Sequence, residues 1–249
     1  MKMRELETCF SPTLYEPERH AGSIVVIIDI LRATSAICTA FENGASSIIP
    51  VGTIPEAKEY KKRGYLVAAE RDGFVLDFAD FGNSPFNFIR EKVAGKTIVY
   101  STTNGTGIIN LAVSASDIIV ASFLNLSAVV KWLSERDKNV VLFCAGWKCR
   151  FNLEDTICAG AIAERLLTTS LYSTICDSTI ASVDLWSIAK NDVHGYIEKV
   201  AQRTRLRDKK LDDCIGFCLQ QDFTAVVPSL KNGILVNSVP VRGSQASDS

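Results

Sequence analysis

Several things are scarce in this chain. Histidine occurs twice, at His20 and His194, and no two cysteines have the Cys-x2-Cys spacing, so the usual ligand sets of zinc have little to draw on. Net charge is nearly absent: 27 Lys and Arg stand against 28 Asp and Glu, and no basic arm stands out, so nucleic acid is not an expected partner. Long hydrophobic runs are missing too. The apolar fraction is 47%, yet no run reaches the length of a membrane span, and the opening MKMRELETCFSPTLYEPERH holds no apolar signal stretch. A cytoplasmic chain without membrane partners is expected. Low-complexity linkers and internal repeats are also lacking.

What is there is an ordinary globular composition over 249 residues, enough for one large α/β domain over 1–249 or for two lobes with a boundary near 170–180. The tail at 243–249 reads as flexible. Eight scattered cysteines read as reduced core side chains. Apolar runs at 23–29, 46–51, 65–69, 96–100, 117–121 and 139–144 alternate with helical patterns at 34–43, 54–63, 85–92, 106–114 and 127–136. Further helices fit 153–168, 184–190, 193–203 and 210–219, with a strand-like stretch, STICDSTIAS, ahead of them. Most runs are apolar without alternation, as strands covered on both faces are. The expected fold is therefore α/β, three layers α/β/α around a largely parallel or mixed sheet, closed by a C-terminal hairpin turning at Lys231-Asn232-Gly233.

In such sheets ligands gather beyond the carboxyl ends of strands. VVIIDILRATS carries Asp29, Arg32, Thr34 and Ser35 past the first apolar run. ERDG (70–73) follows the third and STTNGTG (101–107) the fourth; CAGWKCR (144–150) and then NLED (152–155) follow the sixth. The glycines, hydroxyls and amide of STTNGTG, ahead of a helix-like segment, suit an anion cradle, though a capped turn would read the same way. Asp29 is either a cap for the helix that follows or a magnesium ligand. In NLED, Asn152 suits an N-cap and Asp155 a capping-box acid, with metal ligation as the alternative. The Cys-x5-Arg spacing of Cys144 and Arg150 also allows a cysteine-dependent phosphatase.

Together VVIIDILRATS, ERDG with DFGNSP, STTNGT, CAGWKCRFNLEDTICAGAI, DVHGY and DDCIGFCLQQDFTAVVP resemble the 2-phosphosulfolactate phosphatases, a magnesium-dependent family associated with coenzyme M biosynthesis. The resemblance implies hydrolysis of 2-phospho-3-sulfolactate to sulfolactate and phosphate. It implies Asp29, Arg32 and Asp155 as catalytic residues. It implies substrate contacts from Thr34, Arg71, Asn83, Thr103, Asn104, Gly105 and Thr106, to which the STTNGT cradle adds Thr102 and the need for cationic partners adds Arg150. Mg²⁺ would be held by Asp29 with Glu70, Glu154 or Asp155. A small anionic phosphate ester is the expected partner, and size and apolar content suggest a homodimer. The Asp-x-Asp motif of aspartyl-phosphate enzymes is absent, since residue 31 is Leu31, which favours water as the attacking group.

Overall fold

A computed structural model describes residues 3–102, 108–109 and 111–239. Its strands are β1 (Arg4–Cys9), β2 (Ile24–Ile28), β3 (Ser47–Pro50), β4 (Leu66–Arg71), β5 (Phe74–Val75), β6 (Thr97–Ser101), β7 (Asp117–Ala121), β8 (Val140–Cys144), β9 (Tyr172–Ser173), β10 (Pro228–Lys231) and β11 (Ile234–Asn237). They form one mixed sheet in the order β5-β4-β6-β3-β11-β10-β7-β2-β8-β1-β9.

Parity along the strands shows why the fold has three layers. In β2, Ile24, Val26 and Ile28 belong to the core shared with the helices Leu126–Ser134 and Leu153–Thr168, while Val25 and Ile27 pack with Tyr15, Ile108 and Phe143 on the opposite face. Side chains of successive strand residues point to opposite faces, so a run apolar at every position must be covered twice. The other half of the sheet behaves alike. Ala68, Ile98 and Tyr100 pack with the Ala33–Glu42 helix, and Val67, Ala69 and Val99 pack with Ala57 of the Ile54–Lys62 helix.

The sheet comprises two parallel blocks, β4-β6-β3 and β7-β2-β8-β1-β9, separated by the C-terminal hairpin. The hairpin pairs antiparallel to β3 and to β7, so the blocks have opposite polarity. In a flat sheet their carboxyl ends would face opposite edges. Twist of about 20–25° at each of the six steps from β4 to β2 accumulates to on the order of 130°. A rotation of that size would offset most of the reversal; Asp29 past β2 and Glu70 in β4 do line one cleft.

Departures from the sequence-based elements have local causes. β1 was not expected, because RELETC mixes charges with Leu6 and Cys9. Arg4 is nonetheless buried: its guanidinium lies 4.4 Å from the Tyr172 ring centre and donates to the Leu171 carbonyl. The strand-like STICDSTIAS is mostly the start of the Asp177–Ala189 helix. That helix packs on Leu153–Thr168 so closely that a Cβ at Gly160 would stand 2.0 Å from the Ser182 carbonyl oxygen. The helix expected at 85–92 is a single 3-10 turn, Pro85–Asn87, then Arg90–Val93, with extended Ile89 between them. The segment 193–203 divides into Val193–Ile197 and Ala201–Asp208, and within 210–219 the helix is confined to Ile215–Cys218. Among the described residues, no helix is long and apolar enough to cross a membrane.

Candidate active site

A cleft enclosing about 490 Å³ of space open to solvent lies at the carboxyl end of β2. Asp29, Leu31 and Arg32 come from the β2 exit, Glu70 from the end of β4, Asp72 and Gly73 from the β4–β5 turn, and Asn83 from the loop that follows β5. Trp147 and Gln202, Arg205, Leu206 and Lys209 complete it.

Asp29 sits where the all-apolar strand runs out. Its backbone N–H donates to Thr34 Oγ1 (3.2 Å), and its Oδ1 accepts only a long bond from the Ala33 N–H (3.4 Å). Oδ2 accepts no hydrogen bond from a described residue. Burial pushes the Asp29 carboxyl up to about 7; Glu70 and Glu154 add to the rise, against Arg32 and the Ala33 N–H. Arg32 is held on two sides: Nη2 donates to Asn83 Oδ1 at 2.8 Å and Nη1 to the Leu211 carbonyl at 3.2 Å, with Cys214 Sγ 3.9 Å away. An arginine so fixed presents its charge at one place rather than sweeping the cleft. The Cys214 thiol is lowered to about 6, first by a hydrogen bond from Cys218 and then by Arg32.

Beneath the cleft floor lies the start of the Leu153–Thr168 helix. Asn152 does not cap it through its side chain; instead Nδ2 donates to Glu154 Oε1 (2.9 Å) and Asp155 Oδ2 (2.7 Å). Asp155 Oδ2 also accepts from the Gly146 N–H (3.2 Å) and Oδ1 from the Ile30 N–H (2.9 Å). Three donors leave Asp155 one open lone-pair direction, on Oδ1, so its main work is to tie the β2 exit to the β8 exit. Glu154 Oε2 and Asn152 Oδ1 are buried with no partner among the described residues. The Glu154 and Asp155 carboxyls are raised, foremost by burial, and for Asp155 also by Asp29 and Glu154.

These orphaned oxygens bear on metal binding. Among the described residues no three His, Cys, Asp or Glu side chains converge as a ready-made metal cage. Asp29 Oδ2, Glu154 Oε2 and Asn152 Oδ1 are nonetheless hard oxygen acceptors lacking donors among the described residues. A small donor set completed by water suits Mg²⁺, which retains several waters and seldom takes an all-protein cage.

Of the residues expected from sequence, Asp29, Arg32, Glu70 and Asn83 meet in the cleft, with Glu154 and Asp155 packed beneath. Thr34 and Thr102 line a separate, mainly apolar pocket with Ile37, Tyr100 and Val120. Arg71 donates to the Ser101 carbonyl (3.3 Å) and Oγ (3.1 Å), bridging the ends of β4 and β6 rather than lining the cleft. Thr103, Asn104, Gly105 and Thr106 lie outside the described residues.

Arg150 is exposed and absent from the cleft lining. It closes a tight turn on Trp147, in which Gly146 has φ +63° and a Cβ there would stand 2.1 Å from the Arg150 carbonyl oxygen. Cys144 is fully buried, and burial holds its thiol well above its ordinary pKa. A buried thiol and an arginine outside the cleft lining do not fit the cysteine-dependent alternative, which needs an accessible thiolate.

The sequence reading missed Trp147, Gln202, Arg205 and Lys209. A signal was present: positions 202, 205 and 209 share one face at helical spacing within the strongly basic AQRTRLRDKK.

The family model described as 2-phosphosulpholactate phosphatase matches residues 9–233. A Thermotoga maritima protein named probable 2-phosphosulfolactate phosphatase is 42% identical over 211 residues, 85% of this chain and 90% of that protein. Proteins of the same name from Caldanaerobacter subterraneus subsp. tengcongensis and Clostridium perfringens are 38% identical over 218 residues and 35% over 244. These cover 86% and 92% of this chain, and 90% and 94% of those proteins.

Proposed function

The chain belongs to the 2-phosphosulpholactate phosphatase family, and from that premise we propose that it hydrolyses 2-phospho-3-sulfolactate to 3-sulfolactate and phosphate with the help of Mg²⁺. The observation that carries the reading is a set of oxygens without donors among the described residues: Asp29 Oδ2, in the cleft where Arg32 is fixed, and the buried Glu154 Oε2 and Asn152 Oδ1, with the Glu154 charge felt at Asp29. Asp29 and Glu154 would hold the ion, with Asn152 as a neutral ligand and Glu70 nearby. When bound, the ion supplies charge neutralisation at the phosphoryl oxygens.

The chain's own residues do the rest. Arg32 receives the anionic phosphoryl group, its fork oriented beforehand by Asn83 and Leu211. Asp155 keeps the two strand exits in register, so that Asp29 and Arg32 hold their spacing. Catalysis on this reading is mainly positioning and charge stabilisation, with water as the attacking group.

The test is phosphate release from 2-phospho-3-sulfolactate, with Mg²⁺ and after chelation. Release with Mg²⁺, its loss on chelation and its return on adding the ion are expected. Asp29→Asn should lower kcat by on the order of 10²-fold. Release that survives chelation refutes the metal assignment, and no release under either condition refutes the substrate.

A further inference from the structure

Two guanidinium groups line the cleft, and they differ in what they already hold. Arg32 is engaged through both Nη atoms. Arg205 is engaged only along one edge and one face: its Nε donates to Gln202 Oε1 at 2.7 Å, and its guanidinium carbon lies 4.2 Å from the centre of the Trp147 ring. Neither of its Nη atoms has a hydrogen-bond or ion-pair partner among the described residues. The side chain is half-buried, and burial depresses its pKa, opposed by the charge of Glu154. Desolvating a cation without pairing it is costly, so an arginine in this state is short of an anion.

Its surroundings are built to aim it. Gln202 Nε2 donates to the Leu31 carbonyl at 3.0 Å while its Oε1 receives Arg205, so one amide ties the arginine to the turn between Asp29 and Arg32. Trp147 supplies a flat shelf, positioned by the tight turn that Gly146 permits. Lys209 adds charge to the same wall, its Nζ donating to the Asp72 carbonyl. A fixed guanidinium with two free, parallel N–H groups matches a carboxylate or sulfonate in bidentate fashion.

Resting on the phosphatase reading, we propose that Arg205 binds one of the two non-reacting acid groups of the substrate, its carboxylate or its sulfonate, with Gln202 and Trp147 as positioning residues. The phosphate ester belongs beside Arg32 and the cation that Asp29 and Glu154 would hold. A substrate bearing acid groups beside its phosphate must place one elsewhere, and the Arg205 wall is the cationic surface of the cleft with donors to spare. Specificity for a sulfonated hydroxy acid over a plain phosphate ester then comes from this arginine.

Two measurements on the full chain test it, with thermal melting to verify that each variant is folded. The first compares hydrolysis of 2-phospho-3-sulfolactate with that of ethyl phosphate, which has no second acid group. The second is isothermal titration with 3-sulfolactate, which has no phosphate. Arg205→Gln should raise KM for the sulfonated ester about 10-fold or more, leave its kcat within about 3-fold, leave ethyl phosphate hydrolysis unchanged, and weaken 3-sulfolactate binding about 10-fold. Arg205→Lys keeps the charge but not the fork and should fall between; Gln202→Ala should reproduce part of the effect. An equal fall in kcat on both esters overturns the proposal, because Arg205 then serves the reacting phosphate, and so does unchanged KM and 3-sulfolactate affinity. A wild-type chain that hydrolyses neither ester, yet loses 3-sulfolactate affinity with Arg205→Gln, refutes the phosphatase reading and upholds the acid-group site. Turnover of the sulfonated ester that is indifferent to Arg205 does the reverse.

Discussion

The individual side chains of the cleft divide by whether their polar atoms are already used. Asp155 spends its oxygens on the protein and positions the strand exits, while Arg32 is held by Asn83 and Leu211 so that its charge meets the phosphoryl group on the phosphatase reading. Asp29 and Glu154 each keep an oxygen without a donor. Glu154 gives the sharpest test of this division. Glu154→Gln removes a buried negative charge that raises the Asp29 carboxyl. The metal-free variant should melt higher than wild type at pH 8, by about 2–4 °C, the scale of ~1 kcal/mol in a chain of this size. Mg²⁺ is expected to raise the melting temperature of the wild type; the same variant should lose that increase, and phosphate release should fall by on the order of 10²-fold. Differential scanning fluorimetry with Mg²⁺ or EDTA reads the first two; a full Mg²⁺ response in the variant would remove Glu154 from the ion's surroundings.

Secondary-structure elements matter here through their junctions. The turn at Gly146–Arg150 holds Trp147, and its backbone allows no Cβ at Gly146. Gly146→Ala should lower kcat/KM for 2-phospho-3-sulfolactate chiefly through KM, because the shelf under Arg205 moves; an unchanged KM would mean that Trp147 does not hold the arginine. The contact of Leu153–Thr168 with Asp177–Ala189 is the second such junction. Gly160→Ala forces a methyl group onto the Ser182 carbonyl and the Trp186 Cβ, 2.0 and 2.8 Å away. Overpacking of this kind costs about 1–3 kcal/mol. A fall in melting temperature of about 5 °C or more is expected, and a melt within 1 °C of wild type, in the order-of-magnitude terms of that scale, would show the helices free to separate.

For the molecule as a whole, the buried carboxylates couple stability to pH. Asp29, Glu154 and Asp155 all have carboxyls raised above their unfolded values, near 4 for such groups. Their protonated forms stabilise the metal-free fold fully below the unfolded pKa. That contribution is lost as pH rises through the folded values, about 7 for Asp29. The cluster therefore makes the metal-free chain less stable at pH 8 than at pH 5.5. A divalent cation binds the ionised form, so the Mg²⁺-induced rise in melting temperature should be larger at pH 8. Equal rises at the two pH values would separate the ion from these carboxyls.

By itself the amino-acid sequence determined the α/β class and most central strands, because runs such as Ile24–Ile28, apolar at every position, can only be strands covered on both faces. It also singled out Asp29, Arg32 and Glu70, through unusual polar residues at strand exits, and Asn83 through the family resemblance. The tertiary structure alone decided which of these meet. Opposite polarity of the two parallel blocks cannot be read from hydropathy, and it is the folded sheet, with its inserted C-terminal hairpin, that brings the β2 exit and β4 to one cleft. Arg205 was hidden for the same reason: in sequence it is one cation among several in AQRTRLRDKK, and its meaning lies in the Trp147 ring and Gln202 amide that hold it. Local pattern records what a residue's neighbours along the chain require, whereas an unpaired charge is defined by everything folded around it.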